Sequence, residues 1–242
     1  MIPEVIFYQH AAEMFGRRRV SSDSGQPEAD AAQWSIAQLL GLRRVSASRQ
    51  IFEENEVPGI VGISGSASPA SRTRSIIETT ISRIGAQVGG TTHLISIADL
   101  VPHLGIAARA DAPAPVEDAL RRIETADLLI VGSPVYKGSY TGLLKHLIDL
   151  VEYTSLAGVP VGLIATGGSD RHALVVEHHL RPLFGFFAAR TLPTGVFILD
   201  KAIGGGGSIE DPVTRTRFDQ LVREAVDSLA SIRAAQSAAS AS

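Results

Sequence analysis

The 242-residue chain contains no cysteine. Disulfides, cysteine-ligated zinc, iron–sulfur clusters and thiol redox catalysis are therefore all excluded together, and any redox role needs a bound cofactor. Charge imbalance is also small: 22 Lys and Arg against 25 Asp and Glu leave a net charge of −3, with no global pull toward nucleic acid or acidic membranes. Long apolar runs are missing. None approaches the roughly 20 residues of a membrane-spanning helix, and the N-terminus lacks the basic-then-apolar layout of a secretory signal. A cytoplasmic location is the expectation.

What is present is an ordinary core: 45% hydrophobic and 19% charged residues suit one soluble domain with attached extras. Residues 1–58 differ from the rest. They hold Arg17-Arg18-Arg19, a polar run from Ser21 to Asp30, and a short helical pattern over 31–42 carried by Trp34, Ile36, Leu39, Leu40 and Leu42. The expectation is a loosely packed, partly disordered extension, with a regulatory or targeting arm as the alternative and a natural start near Val57 as a further hypothesis.

From Gly59 the pattern becomes regular. Continuous apolar runs at Ile60–Ile63 and Leu128–Ser133 read as strands buried on both faces, joined by further strands over 91–97, 159–165 and 195–199. Helical stripes fall between them, over 74–87, 116–125, 139–152 and 172–189, with a closing helix over 213–235. Strand and helix in alternation require parallel strands with right-handed crossovers. The expected fold is α/β: a doubly wound five-stranded parallel sheet, order 2-1-3-4-5, with helices on both faces, spanning 59–235. Gly204–Gly207 reads as a flexible joint and 236–242 as a disordered tail.

In such a sheet, ligands bind at the carboxyl ends of the strands where the strand order reverses. Three loops are thereby selected. After strand 1, the run Ser64-Gly65-Ser66-Ala67-Ser68-Pro69-Ala70-Ser71-Arg72-Thr73 offers small residues and hydroxyls at a helix N-terminus, a setting for a phosphate. It has neither the lysine of a Walker A loop nor the spaced glycines of a dinucleotide fingerprint, so a terminal monophosphate fits best. A plain capped helix is the alternative. After strand 3, Ser133-Pro134-Val135-Tyr136-Lys137-Gly138-Ser139-Tyr140 gives an apolar edge for an aromatic ring, unless Tyr136 simply packs in the core. After strand 4, Thr166-Gly167-Gly168-Ser169 brings backbone N–H donors to a carbonyl-bearing ring edge, or makes a tight turn. Phosphate, ring and polar ring edge together describe FMN.

These stretches, "GSASPASRT", "SPVYKGSYTGLLKHLIDLV" and "ATGGSDRHALVVEHHLRPLF", resemble the NAD(P)H-dependent FMN reductases of flavodoxin-like fold. They are most similar to the group serving alkanesulfonate monooxygenases. The resemblance covers about 59–200. It implies that Ser66, Ser71, Arg72 and Thr73 hold the FMN phosphate, that Pro134, Val135, Tyr136 and Lys137 line the isoalloxazine, and that Thr166, Gly167 and Gly168 meet its pyrimidine edge. It also implies a π-type bulge near Tyr140 at a subunit interface, a homodimer or homotetramer, NADPH or NADH as reductant, and a flavin-dependent monooxygenase as partner.

Hydride transfer between two cofactor rings needs no catalytic side chain, and none is assigned. Adjacent His178 and His179 point about 100° apart on a helix and lack carboxylate partners at ligand spacing, which argues against a metal; His172, opening its helix beside the glycine turn, is a candidate contact for flavin or nicotinamide. Arg72, Arg74 and Arg171 are the candidates for the 2′-phosphate of NADPH, with a solvated cation as the alternative for each. A quinone, azo or chromate reductase with tightly held FMN is the competing enzyme, and a flavodoxin-like electron carrier the competing non-enzyme.

Overall fold

The computed structural model describes residues 57–240; the expected 31–42 helix and most of the N-terminal extension lie outside them. Strand β1, Gly59–Ser64, enters helix α1, Arg72–Val88, whose N-cap Ser71 accepts from the Arg74 N–H and whose C-cap Gly89 sits at φ 65°. Strand β2, Thr91–Ser96, leads through short helix α2, Ile97–Leu100, and two 3-10 turns into helix α3, Ala114–Thr125. Strand β3, Leu128–Pro134, precedes helix α4, Gly142–Asp149. Strand β4, Pro160–Gly167, is followed by a 3-10 turn, Asp170–His172, a π-helical turn, Val176–Leu180, and helix α5, Arg181–Gly185. Short strands β5, Arg190–Thr191, and β6, Val196–Leu199, then lead to helix α6, Pro212–Ser240.

All pairings are parallel, in the order β2-β1-β3-β4-β5, with β6 also on β4. The expected order holds, but its fifth position is shared. β5 pairs with Pro160 and Val161 and β6 with Ile164–Gly167, along one continuous β4. Pro193 stands between the two pieces and has no N–H for a ladder bond there.

Because successive side chains of a strand face opposite ways, the sheet carries two cores. Val61, Ile63, Leu129 and Val131 meet Leu120, Ile123, Leu144 and Leu147 of α3 and α4. Ile60, Leu128 and Ile130 meet Ile76, Ile77 and Ile81 of α1 and Phe218, Leu221 and Val222 of α6. Ile77 lies flat on the sheet: a Cβ on Gly62 or Gly132 would fall 2.6 and 2.5 Å from its methyl groups. That close approach seats the first two turns of α1 on the sheet, just beyond the Ser71 cap that begins the helix.

Four expectations change. The helix expected over 172–189 is broken into the three short pieces. Pro182 cannot donate to the carbonyl four residues back, and just before it the Arg181 N–H reaches five residues back to Val176. The helix expected over 139–152 begins only at Gly142, because residues 136–139 form a hairpin turn and Thr141 provides the cap. The closing helix continues through Ser240 instead of fraying after 235, consistent with the high helix propensity of its alanines. Gly204–Gly207 is no free joint: Gly207 is buried against α1 and Thr79 Oγ1 donates to the Gly206 carbonyl at 2.8 Å.

Candidate active site

The three selected loops meet at the carboxyl rim and are stitched to one another by buried hydrogen bonds. The Gly65 N–H donates to the Gly132 carbonyl at 2.7 Å, and Thr141 Oγ1 donates to the Gly65 carbonyl at 2.6 Å. A Cβ on Gly65 would sit 3.0–3.2 Å from Leu144, Gly132 and Ser133 atoms, so glycine lets the first loop lie against the third. Ser133 Oγ accepts from the Thr141 N–H at 3.1 Å. The Val135 N–H reaches the Thr166 carbonyl at 2.8 Å, joining the third loop to the fourth. Finally, Thr73 and Thr166 share a buried Oγ1···Oγ1 hydrogen bond of 2.7 Å across 93 residues of chain. The loops that carry Ser66, Tyr136 and Gly167 therefore lie side by side at the rim.

At the first loop the surroundings fit a phosphate. α1 has 17 residues and no acidic side chain in its first turn, so its positive end is uncompensated. Ser66 is buried beside it, its Oγ accepting from the Ser68 N–H at 3.2 Å, while Arg72 is exposed. Ser64 and Ser96, register partners at the ends of β1 and β2, bury hydroxyls without hydrogen-bond partners just before the loop. Arg74 does not share in this: its guanidinium donates to both Asp99 oxygens, at 3.0 and 3.2 Å.

The third loop is a two-residue hairpin. Tyr136 and Ser139 exchange backbone hydrogen bonds of 2.8 and 3.2 Å, and both residues between them have positive φ, 52° at Lys137 and 82° at Gly138. That is the pattern of a type I′ turn, which glycine adopts freely and lysine only under strain. Tyr136 is 53% exposed, so the core-packing alternative for it falls away. At the fourth loop Gly167 is buried, a Cβ there lying 3.2 Å from the Phe197 ring, whereas Gly168 is exposed.

Not every candidate faces outward. Thr73 and Thr166 are both buried and hydrogen-bond each other, and the Thr166 carbonyl accepts from Val135, so both tie the loops together at the floor of the site. Tyr140 lies in the loop before α4, and the π-helical turn is in a different segment, Val176–Leu180. The two nevertheless touch: the Tyr140 and His179 rings meet edge to face at 6.3 Å, and Ser139 Oγ bonds His179 Nδ1 at 3.1 Å. His178 and His172 are exposed. Three contributors escape sequence reasoning: Thr141, Phe197 and His179. Only Thr141 carries a local signal, as the hydroxyl cap before an apolar helical stripe.

Across residues 58–204 the chain matches the family model described as NADPH-dependent FMN reductase. The chain belongs to that family. Its fold, with the five-position parallel sheet between helices, is flavodoxin-like, and it is an NAD(P)H:FMN oxidoreductase. The reductase is 50% identical over 140 residues to the NADH-dependent FMN reductase SfnF of Pseudomonas putida, covering 57% of this chain and 75% of that one. It is 44% identical over 155 residues to an FMN reductase (NADPH) of Pseudomonas aeruginosa, covering 64% of this chain and 83% of the other. Among solved structures it is similar to the apo form of the NADH:FMN oxidoreductase EmoB, with a TM-score of 0.65, 29% identity and coverage of 71% and 90%. Among the described residues no helix is long and apolar enough to cross a membrane.

Proposed function

We propose that this reductase takes FMN as an exchangeable substrate and hands the reduced flavin to a flavin-dependent monooxygenase of sulfonate or sulfur assimilation. FMN supplies the acceptor for the nicotinamide hydride; the protein binds and orients. Ser66, Ser71, Arg72 and the α1 N-terminal N–H groups would hold the phosphate, Pro134, Val135, Tyr136 and Lys137 the ring, and the backbone of Gly167 and Gly168 the pyrimidine edge, where donors stabilise the negative charge of the reduced ring. We also read the enzyme as cytoplasmic and as a homodimer or homotetramer.

The carrying observation is the contrast between the two ends of the site. The phosphate end is tied to β3, β4 and α4 by buried hydrogen bonds. The ring end is a surface hairpin whose tyrosine is half in solvent. A flavin gripped by its phosphate with its ring accessible meets a reduced nicotinamide dinucleotide easily and departs easily. The test is steady-state NAD(P)H oxidation by flavin-free protein with FMN varied: saturable dependence on added FMN, with release of reduced flavin to a separate oxidase, is expected. Flavin that stays bound through gel filtration, with turnover indifferent to added FMN and dependent on a quinone or azo dye, would replace this reading with the competing one.

A further inference from the structure

Among the described residues, most cationic side chains are committed: Arg74 to Asp99, Arg83 to Asp219, Arg109 to Glu117 and Glu124, Arg122 to Asp118, Lys145 to Asp149 and Arg181 to Glu177. Others are held by carbonyls, as Arg215 by Ile209 and Glu210 and Arg217 by Gly195. Among the described residues, Arg72, Lys137, Arg171, Arg190 and Lys201 are exposed and have no side-chain hydrogen bond or ion pair. Arg190 opens β5 at the amino edge of the sheet. The other four follow β1, β3, β4 and β6 in turn, one such cation on each of these four carboxyl-end loops.

One flavin phosphate does not account for all four. Arg72 stands at the phosphate loop after β1, whereas β6 lies three strand spacings away across β3 and β4, about 14 Å. Arg171 and Lys201 share that far end. β4 and β6 run in register up to Gly167 and Leu199, and a Cβ on Gly168 would be 3.9 Å from Asp200 Oδ2, so the two loops emerge side by side. Asp170 and Asp200 stand next to these cations in sequence but form no ion pair with them. Both cations therefore stand side by side just beyond the proposed pyrimidine edge of the flavin, within the same rim as the proposed ring site.

We propose that Arg171 and Lys201 bind phosphate groups of the reduced nicotinamide dinucleotide and so set its KM without contributing to FMN affinity. The proposal rests on the reductase reading above. Guanidinium and ammonium donors to phosphate are charge-assisted and screened by salt, so the effect belongs to binding and weakens as ionic strength rises.

The experiment compares wild-type enzyme with R171A, K201A and the double variant, measuring KM and kcat for NADH and for NADPH at saturating FMN, and FMN binding separately. Arg190→Ala is the control for the loss of a single positive charge away from the rim. The double variant is expected to raise the dinucleotide KM about tenfold, with kcat and FMN affinity unchanged, and with the difference from wild type shrinking in high salt. A rise for both dinucleotides assigns the cations to the pyrophosphate, and a rise for NADPH alone to the 2′-phosphate; either supports the proposal. An unchanged KM, or a rise matched by Arg190→Ala, overturns it while leaving the reductase reading intact. An equal loss of FMN affinity overturns it as well. Failure of the wild-type enzyme to oxidise either dinucleotide with FMN overturns the reductase reading and this proposal with it.

Discussion

Three adjacent glycines in the loop after β6 have the same side chain and different surroundings, which allows their substitution costs to be ranked. Gly205 has no positive φ and open space where a Cβ would go. Gly206 has φ 62° and open space. Gly207 has φ 75°, and its Cβ would lie 2.5 Å from the Ser75 carbonyl oxygen and 2.8 Å from Thr79 Oγ1 on α1. An alanine at Gly205 restricts the unfolded chain and little else, so its effect should stay within about 0.5 kcal/mol of zero. At Gly206 the left-handed conformation alone costs an L-residue about 1–2 kcal/mol. At Gly207 the same conformational cost is joined by an overlap with backbone that has no rotamer to retreat to, worth about another 1–3 kcal/mol.

The expected order of urea midpoints is therefore Gly205→Ala, then Gly206→Ala, then Gly207→Ala, with the last about 2–5 kcal/mol below wild type. A functional consequence follows from position. Ser75 lies one turn inside the helix that Ser71 caps, with the Ser75 N–H on the Ser71 carbonyl at 3.2 Å. Displacing it moves the N–H groups proposed to face the phosphate. Gly207→Ala should then weaken FMN more than riboflavin, which lacks the phosphate. Equal destabilisation by the Gly206 and Gly207 substitutions would show that the contact with α1 contributes nothing and refute the reasoning.

Thr166→Val should cost about 1–3 kcal/mol in urea unfolding by leaving the Thr73 hydroxyl buried without a partner, and Thr73→Val in the same chain should recover part of that. At the ring-side hairpin, Lys137→Asn creates the favoured Asn-Gly turn and should leave the thermal midpoint unchanged or raised, whereas Lys137→Val should cost about 1–2 kcal/mol because a β-branched residue resists φ 52°. For acid stability, the hydrogen bond from Arg181 holds the Glu177 carboxyl below its ordinary pKa of 4.5. The folded chain therefore binds fewer protons there than the unfolded one. The contribution is full above pH 4.5 and is lost as pH falls through the lowered value, so Glu177→Gln should flatten that part of the acid limb in urea titrations.

Sheet topology was readable because burial on both faces leaves a mark in composition: Ile60–Ile63 and Leu128–Val131 are apolar throughout except where glycine admits Ile77, and each run lies inside a buried strand. The three rim loops were readable for a related reason, since only small and hydroxylated residues satisfy a crowded sheet edge at a helix start. What composition does not encode is direction. Ser66 and Thr73 look alike as hydroxyls of one loop, yet both are buried and only Thr73 has its hydroxyl claimed by a partner on β4. The glycine run near 205 looked mobile because nothing local restrains it; its restraint is Thr79, 127 residues earlier. The π-helical turn likewise depends on how Pro182 forces the preceding N–H groups to find other carbonyls. Local chemistry thus singled out candidates for a flavin site, whereas which of them are tied into the floor of the rim and which stay exposed arises only when strands distant in sequence come into register.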